Sequence, residues 1–336
     1  MKHKYLVIIF VFIVSMGCSL AQVAATQVTE TPTSVAITDT IPPPLSKPEL
    51  GTAENPLILA LAPSSNSQAQ VDAAKVIAAQ LKQRTGYEIV VVTSDSYSAL
   101  VDAFEKGNAH ITLLDPLSYE LGYQKGLFKA GFAIIKNGKA LYGSQFIASR
   151  KGGFRSYFDT TTQTNTADAS TALAQFANKK PCWSDETSPS GYVIPFGILN
   201  KNQIQTQPAA FVQGHTTVIR SIYAGGICDF GATYIDARKF PSLEDQYPDL
   251  MEQVIVIWHV PEIIPYSVLV FSTNMPQSMH VLFTNSIPAI LQTDEGKAAF
   301  RSAYAIETLL PVTDADFSEF HEYIDETHLN LSILIR

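Results

Sequence analysis

Leu57-Ile58-Leu59-Ala60-Leu61-Ala62, broken at Pro63 and followed by the polar turn Ser64-Ser65-Asn66-Ser67, has the length and boundary chemistry of a buried strand. From Gln68 to Arg84 the period changes: Val71, Ala74, Ala78 and Leu81 fall on one side of a helix that Gly86 closes. Glu88 to Thr93 (EIVVVT) is a second buried strand, Ser94-Asp95-Ser96 offers a helix N-cap, and the next helix runs to Phe104. Ile111 to Leu114 is a third strand, leading through Asp115-Pro116-Leu117-Ser118-Tyr119 into another helix. Strands alternating with helices predict an α/β fold of parallel strands and crossover helices.

After the polar stretch from Thr160 to Thr171 the alternation restarts. Strands are expected at Pro181–Ser184, Ala210–Val212, Asp229–Tyr234 and Gln253–Trp258, with helices at Ser188–Leu199 and His215–Ala224. The Pro-rich segment Pro261-Glu262-Ile263-Ile264-Pro265 precedes a strand at Leu269–Phe271, and the rest reads as helical, punctuated by Gly296 and Pro311. Two similar units result, the second nested in the first, with chain crossings expected near Ser144–Ser149 and Pro261–Ser267. The boundaries are 56–146 and 267–336 for lobe 1 and 147–266 for lobe 2. Two lobes joined by two crossings make a hinge around a cleft, a natural place for a ligand.

The 336 residues are 46% hydrophobic, which suits a packed core and excludes wholesale disorder. Acidic residues outnumber basic ones, 31 to 23, and no Lys/Arg-rich run occurs, so a nucleic-acid surface is not expected. Three cysteines without a CxxC pair exclude a zinc ribbon and a thioredoxin-type site. The histidines have no HxH or HExxH spacing, so no metal is expected. GxSxG, a Walker loop and a strand-borne GxGxxG are all missing; neither an enzyme nor a cofactor is expected, although Asp185 and Glu186 beside Ser188 could be read as an acid–base pair.

The basic start Met1-Lys2-His3-Lys4, the apolar run Leu6–Met16 and Gly17-Cys18-Ser19 read as an export signal over residues 1–17, too short to span a bilayer. Gly17-Cys18 resembles the end of a lipoprotein signal, with Cys18 diacylated as the new N-terminus; the alternative is ordinary cleavage nearby, for instance after Ala21. Residues 18–55, rich in Thr, Pro, Ser and Ala, are read as a disordered linker that lets an anchored module stand off the outer face of the membrane.

From about Leu57 to Ile324 the chain resembles the phosphate/phosphite/phosphonate substrate-binding proteins of ABC transporters. Thr93-Ser94-Asp95-Ser96-Tyr97-Ser98-Ala99-Leu100 is similar to that family's TDYxAL segment, and Gly107 to Tyr119 to its GxVDxAxxGPxSY. Asp185-Glu186-Thr187-Ser188-Pro189-Ser190-Gly191-Tyr192 with Pro195 resembles DPxSTSGxxxP. Gly214-His215-Thr216, followed by Asp229-Phe230-Gly231-Ala232, resembles GxH and then VDxGA. The resemblance implies a two-lobed type II periplasmic-binding fold, a monomer, that closes around a small anionic ligand and presents it to a membrane permease. The same fold could instead serve a tethered sensor signalling to a kinase.

The ligand-binding residues it implies are Tyr97, Ser118, Tyr119, Ser188, Ser190, Gly191, His215 and Thr216, with Tyr142 flanking the cleft. A helix starting at Ser188–Ser190 would offer free amides and the positive end of its dipole to a tetrahedral oxyanion; an ordinary N-cap is the plainer reading. Cys182 and Cys228 start neighbouring strands and are either a disulfide or two buried thiols.

Three departures from the family pattern bear on the ligand. Pro189 stands where the family often has Thr, removing a hydroxyl and an amide, and Glu186 replaces a Pro beside the site. Ile264-Pro265 is followed by Tyr266-Ser267-Val268 without the acid that amine-gripping members place there, which disfavours an aminoalkyl phosphonate.

Overall fold

The structure, a computed structural model, describes residues 49–335. The export signal, Cys18 and the tether as far as residue 48 lie outside them. The first elements are β1 (Leu57–Leu61), α1 (Gln68–Thr85), β2 (Ile89–Thr93), α2 (Tyr97–Glu105), β3 (Ile111–Leu114), α3 (Pro116–Gln124) and β4 (Phe128–Ile134). Local signals place them. Ser67 and Gln70 form a reciprocal capping box at the start of α1, and Gly86 ends it at φ 78°, a left-handed turn open to glycine at little cost. Alanines on α1 let it pack closely on the sheet, so that Ala74, Ile77, Ala78 and Leu81 share a core with Leu57, Leu59 and Leu61.

The chain then enters a second sheet through β5 (Leu141–Ser149), the hairpin of β6 (Phe158–Asp159) and β7 (Thr164–Asn165), α4 (Ala169–Leu173) and β8 (Pro181–Trp183). It continues with α5 (Ile194–Lys201), β9 (Ala210–Phe211), α6 (His215–Ala224), β10 (Phe230–Tyr234), α7 (Pro241–Gln246), α8 (Leu250–Gln253) and β11 (Val254–Pro265). It returns through β12 (Val268–Ser272), α9 (Gln277–Ile290), α10 (Asp294–Tyr304), β13 (Leu309–Pro311), α11 (Ser318–Asp325) and α12 (Leu331–Leu334).

The first sheet has the order β13-β4-β12-β3-β1-β2, the second β11-β5-β10-β8-β9. Most strands in each run the same way. The exceptions are β5, β12 and β13: β5 and β12 each begin where the chain has just crossed between sheets, so each runs back from the crossing end, and β13 runs antiparallel to its neighbour β4. Val268 at the start of β12 therefore lies beside Leu114 at the end of β3, and Ser144 near the start of β5 beside Tyr234 at the end of β10. The carboxyl ends of β3, β8 and β10 thus lie toward the crossings, where open α/β sheets bind ligands.

The alternation of strand and helix is as read, with local differences. Ser144–Ser149 lies inside β5, so the first crossing falls earlier, between Ile134 and Leu141, and the second between Pro265 and Val268. Pro261 and Pro265 belong to β11, which tolerates them because it is an edge strand with a bulge between Val260 and Ile264. β13 interrupts the end expected to be wholly helical, pairing with β4 as the sheet's outer strand. Residues 49–55, assigned to the linker, form a turn: the Gly51 amide donates to the Asn55 carbonyl, and the Glu88 amide to the Gly51 carbonyl.

The C-terminal helices reach across the lobes. α11 lies so close to α5 that a Cβ on Gly197 would stand 1.9 Å from the Tyr323 carbonyl oxygen. Asn200 donates to the Glu326 carbonyl at 3.1 Å, and Lys201 pairs with Glu322 at 2.6 Å. On its other side α11 is held to α3 by the buried pair His321 and Glu120, whose Nδ1 and Oε2 are 2.5 Å apart. Cys182 and Cys228 are joined as a disulfide, tying β8 to the turn before β10.

Candidate functional site

A cavity of about 470 Å³ lies where the two sheets meet, lined by Tyr97, Asp115–Ser118, Tyr142, Thr187, Pro189, Leu334 and Ile335. A larger groove of about 500 Å³ runs along α9 and β13 on the outer side of lobe 1, away from the strand ends. The smaller cavity is the candidate site because both lobes wall it and its residues follow the carboxyl ends of β2, β3 and β8.

On the lobe 1 side Asp115 caps α3. Its Oδ1 accepts the amides of Leu117 at 3.0 Å and Ser118 at 3.1 Å, and its Oδ2 accepts the Ser118 hydroxyl at 2.5 Å. Asp before Pro at a strand end is a strong N-cap, and the helix dipole favours its negative charge. The donors that could grip an external anion here are therefore held by the protein's own carboxylate. Tyr97, at the start of α2, shares a hydrogen bond of 3.0 Å with Ser64. Burial pushes its hydroxyl pKa up; Ser64 opposes the rise and the Asp115 charge adds to it. Where the chain has just crossed into the second sheet, Tyr142 at the start of β5 stacks on Tyr266 with centroids 4.8 Å apart. Burial raises it to about 12, against a hydrogen bond with the Ser190 side chain and with smaller contributions from Tyr266 and Asp115.

On the lobe 2 side the helix begins with a wide turn, Pro189–Val193, before α5. Ser188 caps it, its hydroxyl accepting the Gly191 amide at 3.0 Å. The turn's other groups are partly engaged: Thr187 donates both amide and hydroxyl to Asp185, and the Ser190 carbonyl accepts the Ser144 hydroxyl at 2.6 Å. Gly191 is required by close approach, since a Cβ there would lie 2.0 Å from Ser184 Oγ and 2.9 Å from His215 Cε1. Ser184 Oγ and His215 Nδ1 are buried without a hydrogen-bond partner. Burial holds the His215 pKa below its ordinary value, with Asp185 partly opposing, so at neutral pH the ring is neutral and polar rather than cationic.

The expected residues divide accordingly. Tyr97 and Ser118 line the cavity. Ser188, Ser190 and Gly191 form the turn just behind Thr187 and Pro189, with His215 packed against Gly191; Thr216 is half-buried and not part of the cavity wall. Tyr119 does not reach the cleft. It points into the core of lobe 1, fully buried against Phe317 and Phe128, and its hydroxyl donates to Asp314 at 2.7 Å. Helical geometry turns it about 100° from Ser118, which faces the cavity.

Asp115, Pro116, Leu117, Thr187, Pro189, Leu334 and Ile335 were not among the expected ligand-binding residues. Asp115 could have been read: it is an N-cap, and it stands where the family pattern has Gly. Leu334 and Ile335 carry no such signal, because a fold-back of the C-terminal turn onto α3 decides their place. Among the described residues no group of three or more His, Cys, Asp or Glu side chains could hold a metal ion, and no helix is long and apolar enough to cross a membrane.

A family model described as the periplasmic substrate-binding protein of phosphonate ABC transporters matches residues 59–317. The phosphate-import protein PhnD of Mycolicibacterium smegmatis is 23% identical over 307 residues, covering 84% of this chain and 89% of that protein. A Xanthomonas citri protein solved with ATP bound superposes with a TM-score of 0.59 at 12% identity, over 81% of this chain and 96% of its own. PhnD1 of Prochlorococcus marinus, solved with methylphosphonate, gives 0.49 at 14% identity over 81% and 98%. At such identities the structural likeness concerns the fold.

Proposed function

The chain belongs to the family of periplasmic substrate-binding proteins of phosphonate ABC transporters, and we propose that it is the extracytoplasmic, lipid-anchored solute-binding component of an importer. It acts as a monomer that closes its lobes on a small oxyanion-bearing solute of the phosphate, phosphite or phosphonate class. The observation that carries this reading is the cavity walled by both lobes at the carboxyl ends of their strands. A ligand that touches both walls binds the closed arrangement better and shifts the population toward it, which is the signal a permease needs.

Within the cavity the oxyanion belongs to lobe 2. On lobe 1 Asp115 already occupies the amides of α3, whereas lobe 2 holds the unpartnered Ser184 Oγ and His215 Nδ1 behind the Thr187–Gly191 turn. Titration with phosphate, phosphite, methylphosphonate and sulfate tests this. A ligand at a hundred times its dissociation constant should stabilise the protein by about 2.7 kcal/mol. Ser184→Ala and Ser190→Ala should each weaken binding by roughly 1–3 kcal/mol. Absence of any shift, or unchanged affinity in both variants, would remove the oxyanion from this turn. Lipid anchoring predicts that Cys18→Ser moves the protein from the membrane fraction to the soluble one.

A further inference from the structure

We propose that α11 is the fulcrum on which the two lobes turn, and that Gly197 is the positioning residue that sets how far apart the walls of the cleft stand. The proposal rests on reading that cleft as the solute site and adds what governs its width.

The two helices that begin at the cleft, α3 at Pro116 and the turn into α5 at Pro189, both run back to α11. On the α3 side Glu120 meets His321, the Tyr123 ring stacks on the His321 ring with centroids 3.9 Å apart, and Gln124 donates to Asp325 at 3.1 Å. On the α5 side Gly197 abuts the Tyr323 carbonyl, Asn200 donates to the Glu326 carbonyl and Lys201 pairs with Glu322. Phe320 and Ile324 of α11 join Leu121 of α3 and Ile198 of α5 in one continuous core. A close-packed core resists opening, so lobes joined behind by α11 part at the front, where the cavity separates them. Beyond α11 the chain folds back onto α3 and brings Leu334 and Ile335 into the cavity wall, so one segment reaches both ends of the arrangement. α11 and α12 lie outside residues 59–317, the part that the family model matches.

Gly197 fixes the thickness of the contact. It stands about 10 Å along the helix from Pro189, too far to touch the solute. A Cβ there would lie 1.9 Å from the Tyr323 carbonyl oxygen and 2.9 Å from the carbonyl carbon. Non-bonded atoms rest roughly 3.5 Å apart, so α5 would have to move off α11 by about 1–2 Å. The turn at Pro189 and α5 form one hydrogen-bonded helical unit, so the displacement carries to Thr187–Pro189 while Asp115–Ser118 stay with α3. A solute that needs both walls at their native spacing then finds fewer molecules competent to hold it.

Calorimetry with methylphosphonate and phosphate, together with a nitroxide-to-nitroxide distance, tests the fulcrum in the Cys18→Ser chain. The labels go on Asp95→Cys and Glu186→Cys, exposed positions close in sequence to Tyr97 and Thr187, and affinity is read on unlabelled protein. In Gly197→Ala the affinity should fall at least about fivefold, and the ligand-free distance should shift by about 1–2 Å. Gly296→Ala is the control, because its Cβ would crowd the Ile290 carbonyl oxygen at 2.1 Å inside lobe 1 alone. It should lower the melting temperature and leave affinity and distance as in the wild type. Lys201→Glu, an exposed change that spares the core, should weaken binding about twofold, and adding Glu322→Lys should restore it. Wild-type affinity and distance in Gly197→Ala, or the same losses in Gly296→Ala, would overturn the fulcrum. Should Gly197→Ala not fold, an inert Lys201→Glu would do so. If the wild type binds neither anion, the oxyanion reading falls and the distance decides alone: a shift confined to Gly197→Ala supports the fulcrum, and no shift removes both.

Discussion

On lobe 1 the chain leaves β3 at Leu114 and starts α3 at Pro116; on lobe 2 it leaves β8 at Trp183 and starts its helical turn at Pro189. Both turns carry a proline in the first helical position, both face the cleft, and both satisfy their first amides with a side-chain oxygen. The cap is a carboxylate on one side and a serine hydroxyl on the other. That single difference gives one of two turns of similar local geometry a formal negative charge at its cap that the other cap lacks. Helix starts at strand ends therefore wall the proposed solute site, and the capping residue sets the charge that each wall presents.

The two lobes also differ in how they are held, and the largest expected effect exploits this. Only the second carries a disulfide, closing a loop of sequence separation 46. Replacing Cys182 and Cys228 by Ser should cost about 4 kcal/mol in urea unfolding on the loop-entropy account. The loss should appear as earlier hydrogen exchange in β8 and β10, with β1 and β3 unchanged. Equal loosening of both sheets would break the distinction.

At the lobe 2 turn, Gly191→Val should destabilise by about 1–3 kcal/mol and abolish solute binding, because the new side chain would overlap Ser184 and His215. A variant that keeps wild-type stability and affinity would show that the turn has room to spare. On lobe 1, Asp115→Ala should cost about 1–2 kcal/mol by leaving three donors without their acceptor, and Asp115→Ser should recover most of it.

Acid should weaken lobe 2 through His259 on β11. Burial, with a smaller opposing contribution from Asp236, lowers its pKa to about 4. The unfolded chain takes up this proton near the ordinary histidine value, before the native protein does, so the stabilisation is complete above about pH 6.5 and declines as the pH falls toward 4. His259→Phe should flatten that part of the stability–pH curve; an unchanged slope would assign it elsewhere. The smallest effect belongs to the exposed Lys139–Glu262 pair near the crossings, where Glu262→Gln should change stability by less than about 0.5 kcal/mol.

Much of this was legible in the sequence because local signals decide it. LILALA, EIVVVT and the Ser67 capping box fix strand and helix identity without tertiary help, and His215–Ala224 and Ile111–Leu114 were bounded to the residue. Five strands escaped notice: β6 and β7 form a hairpin of two residues each, too short to show a pattern, while β4, β5 and β13 depend on partners far along the chain; β4, for example, is held between β12 and β13. The cavity wall divides in the same way. Tyr97 and Ser118 follow from strand ends, while Leu334 and Ile335 arrive by long-range packing. Tyr119 was misplaced because a strand-end motif gives the start of a helix but not which side faces the core.

The central claim is that the solute occupies the space between Asp115–Ser118 and Thr187–Pro189. Thr187 is exposed at the rim of that space, so Thr187→Trp would fill the cleft from lobe 2 without entering the core. Calorimetry with methylphosphonate should then register at least a tenfold loss of affinity, on the order of 1.4 kcal/mol, while the melting temperature of the free protein stays within about 2 °C of wild type. Affinity undiminished in the tryptophan variant would contradict the account.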